Sequence, residues 1–179
     1  MNVAVRYYSR GGNTKKIAEA IAEATGVEAK DCSAPVAEAV DWLFLGGSVY
    51  AFGLDDHTKN FITGLDPEKI KNVALFGTSA IVRTGNQGMA KLLHNKGIPV
   101  SMLRFDCPGA FLFMHSGRPN TGDLIKAADF AADVVKQWSR AGDRGTWERV
   151  RWKENVLAMQ RPFRFDLTDY GDYHPCHKF

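Results

Sequence analysis

The stretch VAVRYYSRGGNTKKIAEAIAEATG, residues 3–26, changes character in its middle, and that change decides the fold. Val3, Val5 and Tyr7 alternate as in a strand, whereas Ile17, Ala18, Ile21 and Ala22 recur at helical spacing. Between them lies Ser9-Arg10-Gly11-Gly12-Asn13-Thr14, a loop of hydroxyls, an amide and glycines with one charge. Helix N-termini expose unpaired amide hydrogens and a partial positive charge, so such a loop is suited to an anion such as phosphate. Gly11 and Gly12 have no Cβ to keep the backbone off the anion, and Ser9, Asn13 and Thr14 add polar donors. A plain N-capped turn with Asn13 or Thr14 as cap is the competing reading. The spacing is neither that of a Walker P-loop nor G-x-G-x-x-G.

Strand and helix patterns keep alternating downstream. Residues 2–8 and 27–31 read as strands around a helix over 13–25, ended by Gly26. Ala34–Val40 reads as a small helix or loop. Asp41–Gly47 is an apolar run bounded by glycine, as in a strand buried on both faces. A helix near 55–64 turns Phe61, Ile62 and Leu65 to the sheet, Val73–Gly77 is the fourth strand, and Gln87–Asn95 is a helix with a stripe of Met89, Leu92 and Leu93. Pro99–Phe105 is the fifth strand. Asp123–Trp138 closes the series with Leu124, Ala127, Ala128, Ala131, Val134 and Val135 on one face. Five strands alternating with helices predict a parallel sheet covered on both faces. In such sheets the ligand lies at the carboxyl ends of the strands. The loops 9–14, 46–55 and 77–88 therefore share one neighbourhood.

The 179 residues, 45% hydrophobic, suit one globular domain with a sizeable core. No run approaches the roughly 18 apolar residues of a membrane span, and the strand pattern at the start leaves no secretory leader in view. Cys32, Cys107 and Cys176 are odd in number and far apart, which fits a reducing cytoplasm. A net charge of +3, with acids and bases interleaved, argues against nucleic acid as partner.

The loop residues resemble a family. Ser9–Thr14 is similar to the [ST]-x-T-G-x-T loop with which flavodoxins hold the phosphate of FMN, with Gly11 where threonine is usual and Arg10 as an added cation. Leu45–Gly53 resembles the G-[ST]-P-x-Y-x-x-G loop after the third strand, with Val49 for the proline. Leu75–Ala80 resembles the loop after the fourth strand. Pro108–Phe111 and Gly117–Asn120 resemble a subgroup of flavodoxin-like proteins. The resemblance covers residues 1–140 and implies a three-layer α/β/α flavodoxin-like fold, with a five-stranded parallel sheet of order 2-1-3-4-5 over residues 1–142.

It further implies FMN as cofactor. Ser9, Arg10, Gly11, Gly12, Asn13 and Thr14 would lie at the phosphate; Ser48, Val49, Tyr50, Ala51, Phe52 and Gly53 would flank one side of the ring, and Thr78, Ser79, Ala80 and Ile81 the other. Tyr50 and then Phe52 are the candidates for an aromatic platform. The implied function is electron transfer, cycling the flavin between oxidised, semiquinone and hydroquinone states and exchanging electrons with redox proteins or a small acceptor. An FMN-dependent NAD(P)H or quinone oxidoreductase and a cofactor-free binding module are the alternatives. A phospho-acceptor receiver is disfavoured, because Tyr7-Tyr8-Ser9 follows the first strand where such domains carry acids. The pI near 8.8 departs from the acidic carriers of the family.

The 106–122 segment is long for a connector, and Cys107, Phe111, Phe113, Met114 and His115 are candidates to shield a flavin or line a second pocket. Residues 143–179 form an aromatic and basic extension, expected to pack on the domain or to join a second subunit as a homodimer. His174-Pro175-Cys176-His177 lacks a second ligand pair, so no metal site is expected.

Overall fold

Burial separates the residues of the sheet into two sets. Ala4, Leu43, Leu45, Val73 and Leu75 pack with Ile62, Leu65, Met89, Ala90 and Leu93 on one side. Val5, Trp42, Phe44, Ala74 and Phe76 pack with Ile17, Ala18, Ile21, Ala22, Ala127, Phe130, Ala131 and Val134 on the other. Neighbouring residues of a strand point to opposite faces, so these strands are apolar on both. The computed structural model describes residues 1–50, 53–79, 85–110 and 115–141. The elements are β1 (Val3–Tyr7), α1 (Asn13–Thr25), β2 (Ala29–Asp31), β3 (Trp42–Tyr50), β4 (Gly53–Leu54), α2 (Asp56–Gly64), β5 (Val73–Ser79), α3 (Gly85–Asn95), β6 (Val100–Pro108) and α4 (Thr121–Ala141).

The parallel strands lie in the order β2-β1-β3-β5-β6, which is 2-1-3-4-5 among themselves. α1 and α4 cover one face, and α2 and α3 the other. This is the three-layer architecture expected above. The short β4 pairs antiparallel with the end of β3, Val49 opposite Leu54 and Tyr50 opposite Gly53. The chain divides between Trp138 and Ser139 into two units. Residues 142–179, and with them the extension and its His174–His177 cluster, lie outside the described residues.

Several boundaries differ from the sequence reading for identifiable reasons. β3 runs on to Tyr50, so Ser48–Tyr50 belong to a strand where a loop was expected. Ser48 keeps the parallel register with Thr78, and the turn back through β4 continues the pairing. β6 likewise extends from Val100 to Pro108, because Asp106, Cys107 and Pro108 pair with Gly77, Thr78 and Ser79. Cys107 is therefore a buried strand residue packed toward α4, and the connector to α4 is shorter than 106–122. Of the two readings of Ala34–Val40, a small helix or a loop, the loop is found, and it ends in a bridge between Val40 and Ile70. Here Arg6, only 8% exposed, supplies the order that local propensity lacks. Its Nε donates to Ala34 O at 2.9 Å, and its Nη2 to Pro35 O at 2.9 Å.

α4 starts with a reciprocal cap: Asn120 Oδ1 accepts from the Asp123 amide and Asp123 Oδ2 accepts from the Asn120 amide, at 3.1 and 2.9 Å. α1 has no such device. Gly12 precedes it at φ 79°, and no side chain caps its first turn.

Candidate functional site

The carboxyl ends of β1, β3 and β5 are brought together by backbone pairing. Tyr7 stands opposite Gly46, the Tyr8 amide donates to Gly46 O at 3.1 Å, and Gly47 and Ser48 stand opposite Gly77 and Thr78. Loop 9–14 leaves β1 at this point. Gly46 has the Phe76 ring lying where its Cβ would be, 2.2 Å from the nearest ring atom, so only glycine leaves room for that ring against β3.

Side chains then join the loop to its surroundings. The Thr14 hydroxyl, fully buried, is 2.8 Å from the Thr78 hydroxyl. Asn13 Nδ2 donates to Ala110 O at 2.8 Å, and the Gly109 amide donates to Ser79 O at 3.1 Å. A Cβ on Gly109 would meet Asn13 Nδ2 at 3.1 Å. Four segments thus come together: 9–14, the end of β3, the end of β5, and 109–110. The competing reading, in which Asn13 or Thr14 caps α1, is overturned here. Both side chains are engaged across elements, and the helix start is left with its amides and with Gly12 in the left-handed region.

The loop also contains an orphan. Ser9 Oγ is buried and has no hydrogen-bond partner. A hydroxyl removed from water and left unpaired costs about 1–3 kcal/mol, and a ligand oxygen at the loop would remove that cost. An uncapped helix start, a flexible Gly12 and an unpartnered serine hydroxyl together fit a phosphate monoester. The residues present therefore fit FMN at its phosphate end. Gly11, where the resembling loop has threonine, is not enforced by packing: a Cβ there meets only Asn13 Nδ2, at 3.9 Å.

Arg10 has a role the sequence did not show. Its guanidinium reaches Asp55 Oδ2 at 3.0 Å, while Asp55 Oδ1 accepts from the His57 amide and caps α2. His57 in turn stacks on Tyr8, with centroids 4.5 Å apart and planes at 15°. The sequence pattern places a helix near 55–64, and an aspartate directly before its helical stripe is the local signal for Asp55 as its cap. On the far side, Asn86 is buried and donates to Asp106 Oδ2 at 2.6 Å, while Asn86 Oδ1 is without a partner. Asn86 on α3 and Asp106 on β6 carry no local signal, because only the packing of α3 against β6 brings them together.

Of the ring-side residues, Ala51, Phe52, Ala80 and Ile81 lie outside the described residues, as do the side chains of Ser48, Val49 and Tyr50. So do Phe111, Phe113 and Met114. His115 is exposed, at φ 54°. Burial pushes the Cys107 thiol up to about 12, with Asp123 adding to the shift, so this cysteine is a neutral core group. Among the described residues no helix is long and apolar enough to cross a membrane.

The strand order reverses between β1 and β3, helices cover both faces of the sheet, and loop 9–14 stands at that switch point, which defines a doubly wound open-sheet α/β protein. Residues 4–103 match the family model of the flavodoxin domain. The chain belongs to the flavodoxin family. A flavodoxin from the domain Archaea superposes with a TM-score of 0.66 at 18% identity, over 76% of this chain and 98% of that one. Flavodoxin 2 from Bacillus cereus, in its oxidised form, gives 0.58 at 18% identity, over 76% and 99%. Rubredoxin:oxygen oxidoreductase from Desulfovibrio gigas gives 0.62 at 17% identity, over 77% of this chain but 36% of that one. At these identities the structures establish a shared fold. No curated protein matches the sequence.

Proposed function

We propose that this chain binds FMN at the carboxyl ends of β1, β3 and β5 and works as an electron-transfer protein. The observation that carries the reading is the buried, unpartnered Ser9 hydroxyl beside the uncapped start of α1. Ser9 Oγ and the backbone amides of 11–14 would hold the phosphate, with Gly12 giving the turn its left-handed residue. Thr14, bonded to Thr78, fixes the height of that turn against β5. Asn13, bonded to Ala110 O, holds the 109–110 segment at the loop's outer side.

When bound, the flavin supplies one- and two-electron redox chemistry, and the chain supplies position, burial and local electrostatics. The segments 48–53 and 78–81 would flank the ring. Redox proteins or a small acceptor are the proposed partners. The basic pI of 8.8 favours acidic partner surfaces in the encounter.

Titrating the purified chain with FMN, while following flavin fluorescence and absorbance, tests the reading. Stoichiometric quenching is the expected outcome, and Ser9→Ala should weaken FMN binding without weakening riboflavin binding. A chain that leaves FMN fluorescence unchanged overturns the proposal and leaves a cofactor-free binding module. Sustained NAD(P)H oxidation with quinones would instead assign a substrate-level oxidoreductase.

A further inference from the structure

We infer that the Arg10–Asp55 ion pair is a clamp, a pair of positioning residues that fixes the phosphate-side loop against the ring-side segment. Arg10 stands inside loop 9–14, between β1 and α1. Asp55 follows β4 directly, and β4 pairs with the end of β3, the segment that the FMN reading puts beside the ring. The inference rests on the FMN reading of this site, and it concerns how the site's two halves are held together.

The burial of the two partners is unequal. The Asp55 side chain is 3% exposed and that of Arg10 is 62% exposed. A carboxylate taken out of water needs its oxygens occupied. Asp55 has both in use, Oδ1 on the His57 amide and Oδ2 on Arg10 Nη2. Its position is therefore fixed by α2, and Arg10 is drawn to it. The stacked Tyr8 and His57 rings make a second tie between the exit of β1 and the start of α2. Because Asp55 offsets its charge, Arg10 contributes position to the loop in place of a free cation for the phosphate.

The substitution Asp55→Asn separates these roles. Asparagine retains an Oδ1 that can cap α2, but it presents an amide where Oδ2 accepted from Arg10. The probes are FMN and riboflavin, which share the ring and differ in the phosphate. A clamp predicts that Asp55→Asn and Arg10→Gln each weaken both flavins by the same factor, about three- to five-fold for a partly exposed pair. The double variant should be no weaker than either single one, and Arg10→Lys should restore part of the loss. In the flavin-free protein, amide hydrogen exchange at residues 9–14 and 54–58 should quicken in both single variants.

Opposite results overturn the clamp. If Asp55→Asn tightens FMN and leaves riboflavin unchanged, Arg10 is a charge waiting for the phosphate. If the two substitutions simply add, the pair does not act as a unit. Unchanged exchange at 9–14 in Asp55→Asn rejects the clamp without reference to any flavin. A wild-type chain that binds neither flavin overturns the site reading, and the exchange measurement then still decides whether the pair joins the two segments.

Discussion

Gly46 and Gly12 are glycines for different reasons, and substitutions should separate them. At Gly46 a methyl would meet the fully buried Phe76 ring at 2.2 Å. Gly46→Ala should therefore destabilise by about 1–3 kcal/mol, as expected of overpacking, and shift the urea midpoint with little change in slope. At Gly12 there is open space around the missing Cβ but φ is +79°. Gly12→Ala should cost about 1 kcal/mol through backbone conformation alone. Gly11 is the internal reference: its Cβ would meet a single atom at 3.9 Å, and Gly11→Ala should be close to neutral. The pair Gly11-Gly12 looks uniform in the sequence, yet only the second position demands glycine, since φ depends on how the loop is anchored at both ends.

Among the elements, β1 is where a local pattern and its structural outcome diverge most usefully. The alternation of Val3, Val5 and Tyr7 suggests one buried face, but Ala4, Val5 and Arg6 are all buried in a central strand. Arg6 is accommodated because its guanidinium donates to Ala34 O, Pro35 O and Val5 O, at 2.9, 2.9 and 3.0 Å. Burial lowers its pKa below the ordinary arginine value. Replacing it by leucine removes donors from carbonyls of the segment after β2. A loss of about 2–3 kcal/mol in unfolding free energy is expected, typical of lost hydrogen bonds to a charged group. Hydrogen exchange should show the 32–36 segment as the first region to loosen. α4 shows the opposite case: the helical stripe from Leu124 to Val135 is visible locally, and the helix forms over it behind the Asn120 cap.

Across the whole molecule, the two described cysteines sit on opposite faces of the sheet, Cys32 in one core cluster and Cys107 in the other. Burial pushes both thiols from an ordinary value of 9.0 to about 12. Above pH 9 the unfolded chain releases these protons while the folded chain retains them. The unfolded state then binds fewer protons, so stability is fully present below pH 9 and falls as pH rises toward about 12. Urea unfolding between pH 7 and 10.5 should show this decline, and Cys107→Ala should make it shallower. Native Cys32 and Cys107 should also resist iodoacetamide at pH 8, read by mass spectrometry, and react after denaturation.

By itself the sequence determined the alternating elements, the parallel order they imply and the loop suited to an anion. Each depends on neighbours a few residues apart, through strand alternation, helical spacing and glycine punctuation. Tertiary structure decided which polar groups in that loop are engaged and which are left over. Thr14 meets Thr78, Asn13 meets Ala110, and Arg10 meets Asp55, over separations of 64, 97 and 45 residues. Those pairings arise where parallel strands set distant loops side by side, and within loop 9–14 they leave the Ser9 hydroxyl without a partner. A local pattern can show that a loop is polar, but sheet register determines which of its atoms remain for a ligand.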